Sequence, residues 1–115
     1  MNDHDKALLQ DMREAARKAI EYTRGKTRET LVEDDELIGF AVVRAIEIIG
    51  EAANRVSSET QTTFTTIPWR RVIGMRNRIV HDYLNVDYDI VWEVITEGLP
   101  ALMLELDSIL RDEAN

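Results

Sequence analysis

The chain has no cysteine, two prolines, five glycines and two histidines, His4 and His81, among its 115 residues. Without cysteine there is no disulfide framework, no thiolate metal site and no cysteine nucleophile. So little glycine and proline, with 44% hydrophobic and 31% charged residues, describes a folded helical domain and not a disordered chain. Long hydrophobic runs are missing too. The longest uncharged apolar stretch, around Leu37 to Val43, falls far short of the ~20 residues a bilayer requires. The opening MNDHDK is polar and acidic where an export signal would be basic and then apolar, so a cytoplasmic protein without membrane attachment is expected. No metal and no cofactor are expected either. Glu33 and Glu36 could open an ExxE magnesium pair, but a downstream ExxD partner fails, because Glu47 is followed three positions on by Gly50.

Basic charge is also scarce, with 14 Lys+Arg against 22 Asp+Glu and a net charge of -8. Nonspecific nucleic-acid affinity comes largely from Lys and Arg displacing counterions, so the average composition excludes broad electrostatic binding of nucleic acid. A chain this short buries a modest core, and pairing with a second copy would add to it.

Hydrophobic spacing predicts a first helix from about Asp5 to Arg24, with Leu8, Met12, Ala15, Ala19 and Tyr22 on one stripe, capped by Asp3 or Asp5 and stopped by Gly25. A polar connector from Lys26 to Asp35 should follow. The second helix, about Asp35 to Val56, carries Leu37, Ile38, Ala41, Ala45, Ile48, Ala52 and Val56, and its Gly50, Ala52 and Ala53 leave room for a close neighbour. Ser/Thr-rich residues 57–67 read as a loop. Pro68 opens a third helix, predicted to run to about Asp82. Asp87 or Asp89 caps a fourth, with Ile90, Val91, Val94, Ile95, Leu99, Leu102, Leu106 and Ile109, which Pro100 should kink or split. No strand is predicted. The expected fold is all-α, a compact antiparallel bundle of four to five helices in a single domain over residues 1–115.

The third helix breaks its own pattern. On a straight helix with Arg76 at zero, Trp69, Val72, Val80 and Tyr83 fall within about 40°, and Ile73 and Ile79 lie about 60° to either side. An arginine amid apolar residues must be paired, must snorkel, or must face a cleft that an anion enters. An ion pair to Glu51 or Glu47 would satisfy it structurally, and an anionic ligand would satisfy it functionally. His81 lies about 40° from Asn77, at i+4, so the two should share a face. By itself, a histidine near a helix end is a surface or capping residue. Here it belongs to an Arg76-Asn77-x3-His81-x-Tyr83 constellation flanked by Arg70, Arg71 and Arg78, candidates for RNA contact. Residues 68–83 hold four arginines against one acid, Asp82, so this segment carries +3 and the rest of the chain -11.

Arginine, asparagine, histidine and tyrosine without a metal suit RNA cleavage by the substrate's own 2′-hydroxyl. The histidine moves the proton, and the arginine stabilises charge on the pentacoordinate phosphate. One histidine does not readily serve as base and acid in one step, so two symmetry-related copies, motif facing motif, are expected to complete the site.

These residues, together with AIEIIGEAANRVS at Ala45 to Ser57, PWRRVIGMRNRIVHDYLNVDYDIVWEVI at Pro68 to Ile95 and GLPAL at Gly98 to Leu102, resemble the HepT-like toxins of the HEPN superfamily, whose motif here takes the form R-x4-H-x-Y. The resemblance implies a metal-independent endoribonuclease toxin of a type VII toxin-antitoxin pair. By it, Arg76 and His81 are the catalytic pair, Asn77 a supporting polar residue, and Tyr83 the tyrosine onto which an MntA-like nucleotidyltransferase antitoxin transfers AMP. The alternative is a noncatalytic HEPN subunit that binds nucleotide or substrate for a nucleotidyltransferase complex.

Overall fold

A computed structural model describes residues 1–82 and 85–114. Helix α1 spans Asp3–Thr23 and buries Leu8, Leu9, Met12, Ala15, Ala16 and Ala19. Its cap is Asn2, whose side chain accepts from the Asp5 backbone N–H at 2.7 Å. Neither Asp3 nor Asp5 takes that role. Asp5 turns inward instead, only 1% exposed, and accepts from Ser57 N (3.1 Å), Ser57 Oγ (2.5 Å) and Thr60 Oγ1 (2.6 Å). Those donors, the Ser57 hydroxyl foremost, hold its carboxyl below the ordinary value of 3.8 against the opposing effect of burial. Gly25 follows α1 with φ of 72°, the left-handed conformation that glycine adopts without steric cost.

The expected connector contains a further helix, α2 (Arg28–Glu33). Thr27 and Thr30 form a reciprocal cap around its first turn, and Arg28 pairs with Asp89 across the fold. A π-helical turn, Asp35–Gly39, leads into α3 (Phe40–Arg55). The buried line of α3 runs through Val42, Ala45, Ile46, Ile49, Ala52 and Ala53, whereas Leu37 and Phe40 remain exposed. Two glycines on this stretch mark close approaches. A Cβ on Gly39 would lie 2.8 Å from the Leu31 carbonyl, and one on Gly50 would lie 3.3 Å from that of Ile73. The second contact is the near neighbour that the small residues of α3 predict.

The Ser/Thr-rich loop contains a six-residue helix, α4 (Ser58–Thr63), capped by the Ser57 hydroxyl. The predicted third helix is shorter and divided, into α5 (Trp69–Ile73) and α6 (Met75–Ile79), with Gly74 between them. At Val80 the chain turns extended and forms strand β1 (Val80–Asp82), which pairs antiparallel with β2 (Asn85–Val86), Val80 opposite Val86 and Asp82 opposite Asn85. This hairpin corrects the expectation of helix through Asp82 and of no strand. Ile79 and Val80 are β-branched, which lowers helix preference and favours extended backbone, and a five-residue helix has too few internal bonds to resist.

Asp87 caps α7 (Tyr88–Glu93), accepting from Asp89 N and Ile90 N. A second π-helical turn, Val94–Gly98, passes directly into α8 (Leu99–Ala114). Pro100 therefore does not end the helical run. The bond from Leu99 N to Val94 O shifts the ladder's register just before the proline, whose ring has no N–H to offer. Helix α1 packs along α3 and α8, and α5 and α6 lie against α3. Leu9, Met12, Ile46, Ile49, Leu99 and Leu106 form the fully buried centre. The fold is all-α apart from the small hairpin. No helix among the described residues is long and apolar enough to cross a membrane.

Candidate active site

Arg76 projects from α6 with 53% of its side chain exposed, and its Nε lies 3.8 Å from Glu47 Oε2 on α3. The sequence expectation of an arginine centred in an apolar stripe is thus corrected. Counting Val80 as helical pulled that stripe onto Arg76. With the helix ending at Ile79, the buried face runs through Trp69, Val72, Met75 and Ile79, and Arg76 stands at its edge. Glu47 is the carboxylate it meets. Glu51, the other candidate, lies 3.7 Å from Arg44 instead. An ion pair this exposed is worth about 0–1 kcal/mol, so it does not lock the guanidinium away from an anionic ligand.

His81 sits on β1, 52% exposed, with Nε2 3.7 Å from Asp87 Oδ2. It lies beyond the end of α6, so the helical face it was expected to share with Asn77 does not exist. Asn77 is exposed on α6. Tyr83 lies outside the described residues.

Arg71 and Arg78 both line a 440 Å³ cavity, together with Val72, Met75 and Leu102 and with the carboxylates Glu93, Glu97 and Glu105. Arg70 is exposed on α5 and does not line this cavity. A second hollow, of 560 Å³, runs between α1 and α3 beside Phe40 and Arg44. Glu33 ends α2 and Glu36 lies in the π turn, both exposed. Among the described residues no cluster of three or more His, Asp or Glu has metal-binding geometry.

One neighbour of His81 was missed by sequence reasoning. Asp87 was read as a helix cap alone, and its nearness to His81 comes from the hairpin, which folds positions six apart back onto each other. The signal for that hairpin in the sequence was weak, limited to the β-branched residues Ile79, Val80 and Val86, which favour extended backbone.

A family model described as "Ribonuclease HepT-like" matches residues 12–109. The chain belongs to the HepT-like ribonuclease family. A Thermococcus cleftensis protein named "Probable ribonuclease HepT" is 38% identical over 114 residues, 96% of this chain and 100% of the relative. "Putative RNase MJ1380" of Methanocaldococcus jannaschii is 33% identical over 104 residues, 90% and 94% of the two chains. "Putative RNase TTE0752" of Caldanaerobacter subterraneus is 37% identical over 94 residues, 82% and 83% of the two. No solved structure matches. For a member of this HEPN family, the surface placement of both motif side chains on adjoining elements is the geometric fact that bears on chemistry.

Proposed function

We propose that this HepT-like chain is an endoribonuclease whose chemistry is carried by Arg76 and His81, with Asn77 as the supporting polar residue. The observation that carries this reading is that both side chains are more than half exposed within a family-matched segment. In the reaction, the 2′-oxygen attacks phosphorus, the bond from phosphorus to the 5′-oxygen breaks, and a 2′,3′-cyclic phosphate forms. His81 of one copy takes the 2′-proton, and the protonated imidazole of a second copy gives a proton to the departing 5′-oxygen. Arg76 stabilises the extra negative charge that builds on the phosphate.

The second copy comes from a symmetric homodimer. On α3, Phe40, Arg44, Glu47 and Glu51 recur at helical spacing, so the exposed ring of Phe40 (71%) shares a stripe with the partner of Arg76. Two such stripes meeting across a twofold axis would bring two motifs toward one cleft and place two +3 segments there. Arg70, Arg71 and Arg78 supply flanking contacts to RNA phosphates. The remaining acidity, -11 outside the motif segment, limits binding elsewhere on the surface.

The same reading makes the protein the toxin of a type VII pair, silenced when an MntA-like nucleotidyltransferase transfers AMP from ATP to Tyr83. AMP groups two residues from His81 would add anionic bulk that competes with RNA phosphate for Arg76. The test is RNA degradation by purified wild type, Arg76→Ala and His81→Ala, before and after incubation with the cognate nucleotidyltransferase and ATP. Cleavage by wild type alone, lost after incubation together with a gain of AMP mass, is expected. Binding of the partner or of nucleotide without any cleavage would favour the noncatalytic subunit instead.

A further inference from the structure

We infer that Asp87 is the positioning residue of His81, a role that rests on the ribonuclease reading above. Its two carboxylate oxygens are divided between two tasks. Oδ1 accepts from Asp89 N at 3.1 Å and Ile90 N at 3.2 Å and so caps α7. Oδ2 is turned to His81, 3.7 Å from Nε2. The Asp87 backbone is held as well: its N–H donates to the Ile79 carbonyl at 2.7 Å, and its carbonyl accepts from Val91 N at 3.1 Å. Ile79 closes α6 and Val80 begins β1. The carboxylate is therefore tied both to the helix that carries Arg76 and to the strand that carries His81.

Capping needs one side-chain oxygen, and Asn or Ser caps a helix about as well as Asp. What aspartate adds is a second acceptor and a negative charge, and the structure points both at the imidazole. At 3.7 Å the contact is longer than a direct hydrogen bond and is an ion pair only while the ring carries its second proton. Its value is therefore largest when the ring is protonated, the state reached once His81 has taken the 2′-proton. Asp87 thus favours the ring orientation seen here and stabilises the imidazolium formed, without touching RNA itself.

Asp87→Asn separates the two tasks, because asparagine keeps the cap and loses the charge. The variant is expected to retain wild-type helix content and oligomeric state, to lower kcat for RNA cleavage about 10–100-fold with KM unchanged, and to shift the His81 ring ¹⁵N resonances. Adding it to His81→Ala should bring no further loss of cleavage. Wild-type kcat with unmoved ring resonances would overturn the assignment, as would a rise in KM alone. If the wild type itself cleaves no RNA, the ribonuclease reading fails separately and the ring resonances decide: a shift upholds the pairing, and none removes it.

Discussion

Along α1 and α3, apolar side chains recur at helical spacing over 21 and 16 residues and interlock across the core. The described residues from Trp69 to Val86 instead form two five-residue helices and two strands of three and two residues. The first region is held by burial. The second is held in place by the first, through α3 against α5 and α6 and through single anchors such as the Asp87 N–H on Ile79 O. The short elements carry the motif's ionic side chains at the surface, as the outer faces of α1 and α3 carry Arg17–Glu14 and Arg44–Glu51. The motif residues accordingly pair at the surface, where their pairs are weak and open to a competing anion.

The largest expected effects test that division directly. Arg76→Ala and His81→Ala should each lower RNA cleavage by about 10²–10³-fold or more and leave thermal unfolding within a few degrees of wild type. Ile49→Ala or Leu9→Ala should do the reverse, costing about 2–5 kcal/mol of stability because both side chains are fully buried. Chemical denaturation together with an RNA cleavage assay checks all four. An alanine at 76 or 81 that unfolds the protein would erase the distinction between support and site.

Asp5 belongs to the supporting region but is polar. Asp5→Ala should cost about 1–3 kcal/mol, by leaving the Ser57 and Thr60 donors without their acceptor. Because its folded-state carboxyl titrates below 3.8, its stabilising contribution is fully present above that value and is lost as pH falls through the lower folded one. Acid titration of unfolding should therefore show a wild-type loss below about pH 4 that Asp5→Asn lacks. Equal acid sensitivity in both would mean that other carboxylates govern it.

The smallest effect is expected at Glu47. Replacing it by Gln removes an exposed ion pair and should change stability by less than about 1 kcal/mol, while RNA binding is retained or strengthened because Arg76 is freed. A large destabilisation would show that the Arg76 pair is a structural strut and not a surface contact.

Much of the support was readable from the chain alone. The spacing of Leu8, Met12, Ala15 and Ala19 placed α1, Gly25 its stop, Gly50 a close approach by some neighbour, and Asp87 or Asp89 a helix cap, of which the structure uses Asp87. Where sequence reasoning failed, the segments were short. Helix α2, the hairpin and the surface position of Arg76 all depend on stretches with too few residues for periodicity to register. Two π-helical turns, beside Gly39 and before Pro100, also shift the register in ways that a uniform helical wheel does not carry.

Apart from the candidate pair Arg76 and His81, which its resemblance to the HepT-like family supplies, the chain by itself determined the all-α class and the concentration of positive charge at residues 68–83. These follow from composition and residue identity, which need no partner segment to be read. Only the tertiary structure decided that Arg76 meets Glu47 and not Glu51, that Asp5 is buried among hydroxyls, and that Asp87 lies beside His81. Each of those contacts joins side chains whose approach depends on how two elements pack, and packing is a property of the whole core.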